Sequence, residues 1–106
     1  MSGFDDRENA FENKFAHDQE LEFKAVARRN KLLGLWAAEL MGLTGDEAEA
    51  YGKDVVKADF EEAGHEDVFR KVRGDFDARG IEQSDHQIRH KMEQLLDEAR
   101  EQVRNG

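Results

Sequence analysis

The stretch from residue 4 to residue 41 constrains the fold more than any other part of the sequence. It contains no proline, no glycine before Gly34 and a single β-branched residue, Val26. Such a composition allows an α-helix to continue for many turns. At about 100° per residue, one narrow apolar seam runs along the whole stretch and consists of Phe4, Phe11, Phe15, Val26, Leu33, Ala37 and Leu40.

The two halves of this stretch differ in composition. Residues 25–41 are apolar on nearly all sides, which suits a helix with several neighbours, whereas residues 4–19 are a charged sequence interrupted by three phenylalanines. We therefore expect the second half to form the central helix of the domain and the first half to form an arm. The predicted division is a flexible, partly helical N-terminal arm, residues 1–18, and a four-helix bundle, residues 19–106.

Composition supports an all-α fold and excludes several classes of function. The 106 residues fit one small domain, and 39% of them are charged, with no proline and no cysteine. Few β-branched residues and the missing cysteines argue against a sheet, a disulfide scaffold and thiolate metal sites. The net charge of −9 argues against binding to nucleic acid or to an anionic membrane surface.

No targeting or spanning segment is recognisable in the sequence. The N-terminus leads directly into acidic residues, and the longest unbroken apolar run, residues 35–38, is too short to cross a bilayer. We therefore expect a soluble cytoplasmic protein.

Cap signals divide the sequence into four helices. The central helix is expected from about Asp18 to Gly42, a helix-ending glycine, and Thr44 with Glu47 forms a capping box before a second helix over residues 45–63. A third helix is expected over residues 66–79. A second capping box, residues 84–87, precedes a last helix that ends near residue 105.

Each of these helices has an apolar stripe that is expected to face the core. Trp36 is expected to be a core residue of the central helix. The predicted inward-facing residues of the other three helices are Ala48, Tyr51, Val55, Val56, Ala58 and Phe60 in the second, Val68, Phe69, Val72 and Phe76 in the third, and Ile88, Met92, Leu95, Leu96, Ala99 and Val103 in the last.

The sequence offers little for catalysis. Apart from Tyr51, its hydroxyl groups belong to Ser2, Thr44 and Ser84, which lie at a chain end or in caps, and no glycine-rich phosphate loop occurs. His86, His90 and Glu93 share one face of the last helix, but that face lies opposite the apolar stripe and one helix rarely completes a metal site. We predict no enzyme activity and no metal site.

Two further features leave alternatives open. Residues 28–31, Arg-Arg-Asn-Lys, are either a polar helix face that neutralises nearby acids, which we favour, or an attractor for a phosphate or an acidic surface. The three phenylalanines of the arm, Phe4, Phe11 and Phe15, are either folded back on the bundle or anchors for a partner.

Four segments carry a family resemblance: FDDRE at residues 4–8, KFAHD at 14–18, ARRNKLLG at 27–34 and EDVFRK at 66–71. From residue 4 to about residue 72 the sequence closely resembles the zeta inhibitor subunit of alphaproteobacterial F-type ATP synthases. The last helix matches this family mainly in its pattern.

The resemblance implies a non-enzymatic regulator whose arm becomes helical as it enters a catalytic α/β interface of the F1 head and stops ATP hydrolysis. The partners would be the alpha, beta and gamma subunits of F1, which would hold the protein at the cytoplasmic face of the inner membrane without membrane insertion. When it is not bound to F1, the protein would be a monomer. The inhibitory segment would be residues 2–19, with the contact residues Phe4, Asp5, Asp6, Arg7, Glu8, Phe11, Glu12, Lys14, Phe15 and His17. No cofactor is expected, although the family also implies ADP or ATP binding, for which the sequence shows no site.

Docking of such an arm must offset the conformational entropy lost when its backbone becomes ordered. Three phenylalanines in apolar pockets, salt links from the charged arm residues and the central helix as a nucleus to extend would together offset this cost. We expect Phe11 and Phe15 to dominate, with Phe4 next, and His17 beside Asp18 to make docking pH-dependent. The alternatives are an acidic helical adaptor of another protein and a nucleotide- or metal-sensing regulator.

Overall fold

The computed structural model describes the backbone of residues 3–60 and 66–105 and the side chains of residues 18–60 and 66–105. Its four helices are α1 (Gly3–Leu40), α2 (Gly45–Ala58), α3 (Glu66–Arg79) and α4 (Asp85–Asn105). Since these ranges contain helices and no strand, the predicted all-α, four-helix fold is confirmed.

α1 passes through residues 18 and 19, the predicted boundary between arm and bundle, without interruption. The side chains before residue 18, and with them the predicted flexibility of the arm, lie outside the described residues. The division into arm and bundle therefore stays a prediction.

α1 ends as predicted at Gly42, in a Schellman motif. Gly42 has a φ of 78°, which glycine adopts without a steric penalty, and the N–H of Leu43 donates to the carbonyl of Ala38 at 2.8 Å. α3 ends with the same motif at Gly80. The residues that follow the two motifs, Leu43 and Ile81, pack against the core and so fix where the next helix begins.

α2 ends at Ala58, so the prediction that it continues to residue 63 is wrong. The N–H of Phe60 donates to the carbonyl of Lys57 at 3.1 Å, an i to i+3 bond that tightens the turn after the helix. Phe60, expected on the core-facing stripe, therefore leaves the line of the helix and is 72% exposed.

One of the two predicted capping boxes forms. The N–H of Ser84 donates to Gln87 Oε1 at 2.8 Å, and the N–H of Gln87 donates to Ser84 Oγ at 3.1 Å. Thr44 is the N-cap residue of α2, but its side chain makes no cap hydrogen bond, so that box is a wrong prediction. Gly45, the first residue of α2, has a φ of 56°, so the backbone directly after Thr44 departs from the regular helical geometry that a capping box requires.

Consecutive helices are antiparallel, and α1 packs mainly against α2 and α4. Contacts between neighbours therefore occur in reverse chain order. Glu66 pairs with Arg89 and Arg73 with Asp85 between α3 and α4, and Arg28 pairs with Gln102 and Trp36 with Lys91 between α1 and α4. Between α1 and α2, Gly34 lies against Gly52, and Phe23 and Phe60 line one cleft.

The core confirms most of the predicted stripes. Tyr51, Val55 and Ala58 of α2, all four predicted residues of α3, and Ile88, Met92, Leu95 and Ala99 of α4 are buried, while Ala48, Val56, Leu96 and Val103 are half-buried. Trp36 is half-buried and meets the Phe76 ring edge-on, with 5.7 Å between ring centroids.

The seam predicted along α1 is only partly correct. Leu33 and Ala37 are buried, but Leu40 is 38% exposed because the core meets the end of α1 through Ala38 and Met41 instead. The buried side of α1 therefore turns around the helix axis along its length, since its neighbours cover different sides at its two ends.

The contact between α1 and α2 depends on a glycine pair. A Cβ atom at Gly34 would lie 2.6 Å from the Cα atom of Gly52. Both glycines are buried. The two backbones therefore approach more closely than any larger residue at position 34 allows.

Polar contacts connect the helices around this core. The Tyr51 hydroxyl donates to Asp75 Oδ2 at 2.7 Å, and Lys71 pairs with the same oxygen at 3.2 Å. Burial and this hydrogen bond raise the pKa of Tyr51 far above its ordinary value. Arg73 donates to Asp77 at 2.6 Å and also to the backbone carbonyl of Gln83, so it holds the turn between α3 and α4.

Candidate protein-binding site

The predicted contact residues of the arm all precede residue 18 in α1. All ten, from Phe4 to His17, lie outside the residues whose side chains the structure describes. Which of them approach one another, and whether the phenylalanines fold back on the bundle, stays a prediction.

The residues at the base of the arm are described, and they do not belong to the core. Asp18, Gln19 and Glu20 are exposed and Leu21 is half-buried, while the first buried side chain of the described chain is that of Ala25. The described interior of the bundle is therefore built from residue 25 onward.

An ion pair ties the base of the arm to α4. Arg100 donates to both carboxylate oxygens of Glu22, with Nη2 2.7 Å from Oε1 and Nε 3.0 Å from Oε2. The hydrogen bond that Arg100 donates to Glu22 raises the pKa of Arg100. Both side chains are about half exposed, so water and salt screen the pair and its contribution to stability is small, ~0–1 kcal/mol.

The basic cluster of residues 28–31, which we expected to be a polar helix face that neutralises nearby acids, is divided between solvent and the interior. Arg29 is 2% exposed and Asn30 is fully buried, while Arg28 and Lys31 face solvent. The spacing explains this result, because Arg29 lies four residues from both Ala25 and Leu33 and therefore shares their buried side of α1.

Burial changes the pKa of Arg29 and leaves Asn30 with an unsatisfied hydrogen-bond donor. The Nε atom of Arg29 donates to Asn30 Oδ1 at 2.7 Å. Loss of hydration lowers the pKa of Arg29, which the negative charge of Asp59 opposes and the positive charge of Arg100 reinforces. The other amide atom, Asn30 Nδ2, finds no hydrogen-bond partner among the described residues.

An open groove with basic side chains runs between α1 and the end of α4. Lys24, Arg28, Lys31 and Arg104 line it, together with apolar groups such as Val103. Arg28 donates to Gln102 at 3.3 Å, and Lys31 lies 3.6 Å from a carboxylate oxygen of Glu49. The groove therefore combines positive charge with an apolar floor, an arrangement that attracts anions.

Two exposed aromatic residues were not found by sequence reasoning. Phe23 is 65% exposed and Phe60 is 72% exposed, and both line one small cleft between α1 and the end of α2. The signal for Phe23 was its position between Glu22 and Lys24, away from the apolar seam. For Phe60 the error was the predicted length of α2.

The histidine pair of α4 faces solvent, as predicted. His86, His90 and Glu93 are all exposed, and the two imidazole rings stack with 6.5 Å between centroids. Within the part of the chain that the structure describes, no three histidine, aspartate or glutamate residues converge on a metal-binding position. In the same part, no helix has the length and apolar character needed to cross a membrane.

Comparison with known proteins agrees with the fold and with the resemblance. A search of the curated proteins returned no match. Among the solved structures that match is a protein determined by solution NMR, 55% identical in sequence, with a TM-score of 0.71 over 80% of this chain and 96% of that one. The model of the family described as ATPase inhibitor subunit zeta matches residues 1–102. The chain therefore belongs to the ATPase inhibitor subunit zeta family.

Proposed function

We propose that this protein stops ATP hydrolysis by the F1 sector of an ATP synthase, by inserting its arm, residues 1–18, as a helix into a catalytic α/β interface. The observation that carries the proposal is the extent of the family match, which begins at residue 1 and so includes the arm as well as the bundle. An inhibitor that acts as a steric block needs no catalytic group of its own.

The described base of the arm supports this division of roles. No buried side chain precedes Ala25 in the described residues, so docking of the arm leaves the packed interior intact. Because the helix is already formed at residue 18 and beyond, an arm that binds as a helix adds turns to an existing helix. It therefore avoids the unfavourable nucleation step that an isolated peptide faces.

The arm residues have distinct roles in this proposal. Phe4, Phe11 and Phe15 enter apolar pockets of the interface, where each contributes ~1.5–3 kcal/mol. The charged residues Asp5, Asp6, Arg7, Glu8, Glu12 and Lys14 pair with the rim of the pocket and fix the register, and His17 makes docking pH-dependent. The protein is then located at the cytoplasmic face of the inner membrane through the alpha, beta and gamma subunits of F1.

The test compares the full chain with a chain that lacks residues 1–19. Purified F1 is assayed for ATP hydrolysis and for binding to each protein, and circular dichroism checks that the shortened chain is folded. We expect inhibition by the full chain only. Inhibition by a folded protein without the arm contradicts the proposal, and capture of another protein by the arm without F1 subunits supports an adaptor instead.

The basic groove favours a second, subordinate candidate, which is the binding of ADP or ATP. Its four cationic side chains suit the phosphates, and its apolar floor suits the base. Titration of the labelled protein with ADP is expected to shift the amide signals of Lys24, Arg28 and Lys31. Shifts confined to other parts of the bundle exclude this groove.

A further inference from the structure

Two acidic side chains of α1 and two arginines of α4 face each other at the base of the arm, residues 18–24. Asp18 and Glu22 line one open depression together with Arg100 and Arg104, and Leu21 forms its apolar part. The carboxyl end of a helix carries partial negative charge, and the last turns of α4 lie beside these acids. The two arginines therefore supply the positive charge that lets the end of α4 lie against the base of the arm.

One ion pair within this cluster has a defined orientation. Arg100 binds both carboxylate oxygens of Glu22, with Nη2 2.7 Å from Oε1 and Nε 3.0 Å from Oε2. A bidentate pair fixes the relative orientation of two side chains as well as their distance. Asp97, which precedes Arg100 by one turn of α4, lies 3.7 Å from Nη1, so the guanidinium is also held from its own helix. The pair therefore connects α1 to α4 in one geometry, just before the buried interior begins at Ala25.

Stability alone does not account for an arginine at position 100. Its pair with Glu22 is about half exposed, so the pair contributes little to the free energy of unfolding. The charge of Arg100 also acts unfavourably on Arg29, the buried cation of α1, whose pKa it lowers. A neutral side chain at position 100 would avoid this repulsion. What the pair supplies is therefore direction more than stability.

The direction of the base determines where the arm points. α1 is continuous from Gly3 to Leu40, so the turns before residue 18 continue the axis of residues 18–24. Along a helix, position 4 lies about 27 Å from position 22, at a rise of about 1.5 Å per residue. A tilt of about 10° at the base therefore moves the end of the arm by roughly 5 Å, which is close to the length of one helical turn.

We propose that Glu22 and Arg100 are positioning residues of the inhibitor: their ion pair fixes the direction in which the arm leaves the bundle and so speeds its entry into F1. This inference rests on the proposed function, because the direction matters if the arm has to enter an interface. An arm that already points along one axis has fewer orientations to lose on binding, which lowers the entropic cost of association. The pair acts before the contact with F1 forms, so its effect belongs to the association rate.

The experiment measures association with immobilised F1 and thermal unfolding for full-length variants. Glu22→Gln, Arg100→Gln and the variant with both substitutions form a double-mutant cycle. Glu20→Gln is the matched control, because it removes the same charge from the same exposed segment, whereas Glu20 pairs at 3.2 Å with Lys24 of its own helix. We expect both single variants and the double variant to associate more slowly by the same factor, about 2- to 5-fold, the range that an exposed pair allows. The control is expected to associate at the parent rate, and every Tm to stay within about 4 °C of the parent value.

The direction of the base is also measured without F1. The chain has no cysteine, so Gln19→Cys with Gln94→Cys provides one defined pair of spin-label sites at exposed positions of α1 and α4. We expect the distribution of distances between the labels to broaden when Glu22→Gln is added. It is expected to stay unchanged when Glu20→Gln is added.

The other outcomes overturn the positioning role. If Glu22→Gln associates at the parent rate, or leaves the label distances unchanged, the pair does not direct the arm, and the proposed function stands as long as the parent protein inhibits F1. If the double variant is slowed by the product of the two single effects, the residues contact F1 separately. If Glu20→Gln is equally slow, net charge is the cause. A larger fall in Tm means that the pair holds the fold instead. A parent protein that does not bind F1 contradicts the proposed function and this role with it.

Discussion

The described parts of α1 on either side of Ala25 belong to one helix but have different surroundings. Residues 18–24 are exposed or half-buried, and Glu22 makes a solvent-exposed pair with Arg100. Residues 25–38 include Leu33, Ala37 and the close contact at Gly34, and they lie among three other helices. Continuity of a helix is therefore a poor guide to which of its residues hold the fold together.

The difference has a thermodynamic consequence. A helix that is packed on several sides gains its stability from burial, whereas an unpacked extension depends on helix propensity and on its attachment to the packed part. The described residues 18–24 can therefore change their surroundings at little cost to the bundle. That property is what a segment needs if it is to bind a partner.

The largest expected effect concerns the arm itself. Replacement of both Phe11 and Phe15 by alanine removes ~3–6 kcal/mol of apolar burial in the partner, which corresponds to a loss of inhibition of roughly 100-fold or more. The inhibition constant for F1 and the Tm are measured together. We expect the Tm to stay within about 2 °C of the parent value. A large fall in Tm means that these rings belong to the core, and the comparison between the halves of α1 fails.

A core substitution should show the opposite pattern. Phe76→Ala removes a fully buried ring that contacts Trp36 and is expected to lower the free energy of unfolding by ~3–5 kcal/mol. Inhibition of F1 is expected to be unchanged at temperatures where the variant is folded. Phe23→Ala is the matched control for urea unfolding, since a ring that is 65% exposed should contribute less than about 0.5 kcal/mol.

The glycine contact between α1 and α2 predicts a smaller effect, with a sign reversal at a control position. Gly34→Ala places a methyl group against the backbone of Gly52 and is expected to destabilise the fold by ~1–3 kcal/mol. Gly74→Ala in α3 meets no atom within 4 Å and should stabilise by ~0.5–1 kcal/mol, because alanine favours helix. Equal effects at the two positions contradict the close approach.

The smallest effect concerns pH. The hydrogen bond from Arg89 lowers the pKa of Glu66 below its ordinary 4.5. A lowered pKa in the folded state stabilises the fold above the ordinary pKa, and this contribution disappears as the pH falls through the lowered value. The Tm of Glu66→Gln is therefore expected to be slightly below that of the parent protein at pH 6 and to approach it below pH 4.5. A difference that persists at low pH has another cause.

The sequence determined the class of the fold and most of its elements. Helix composition, apolar periodicity and cap residues are local properties, so α3, α4, the Ser84 cap and the turn at Gly42 were predicted with their core residues. The family was inferred from four short sequence motifs, at residues 4–8, 14–18, 27–34 and 66–71, and not from hydrophobic periodicity. The arm was marked by three phenylalanines in a charged segment, and its role stays a prediction.

Only the tertiary structure decided which side of α1 is buried at each point. Arg29 and Asn30 are polar in the sequence, but they lie four residues from apolar positions on a side that packing closes. The sequence predicted Phe60 to lie within α2, but the helix ends at Ala58. No local sequence pattern therefore indicated the cleft that Phe60 and Phe23 line. Burial depends on neighbours that are distant in the chain, and a sequence pattern records only the preferences of each helix taken alone.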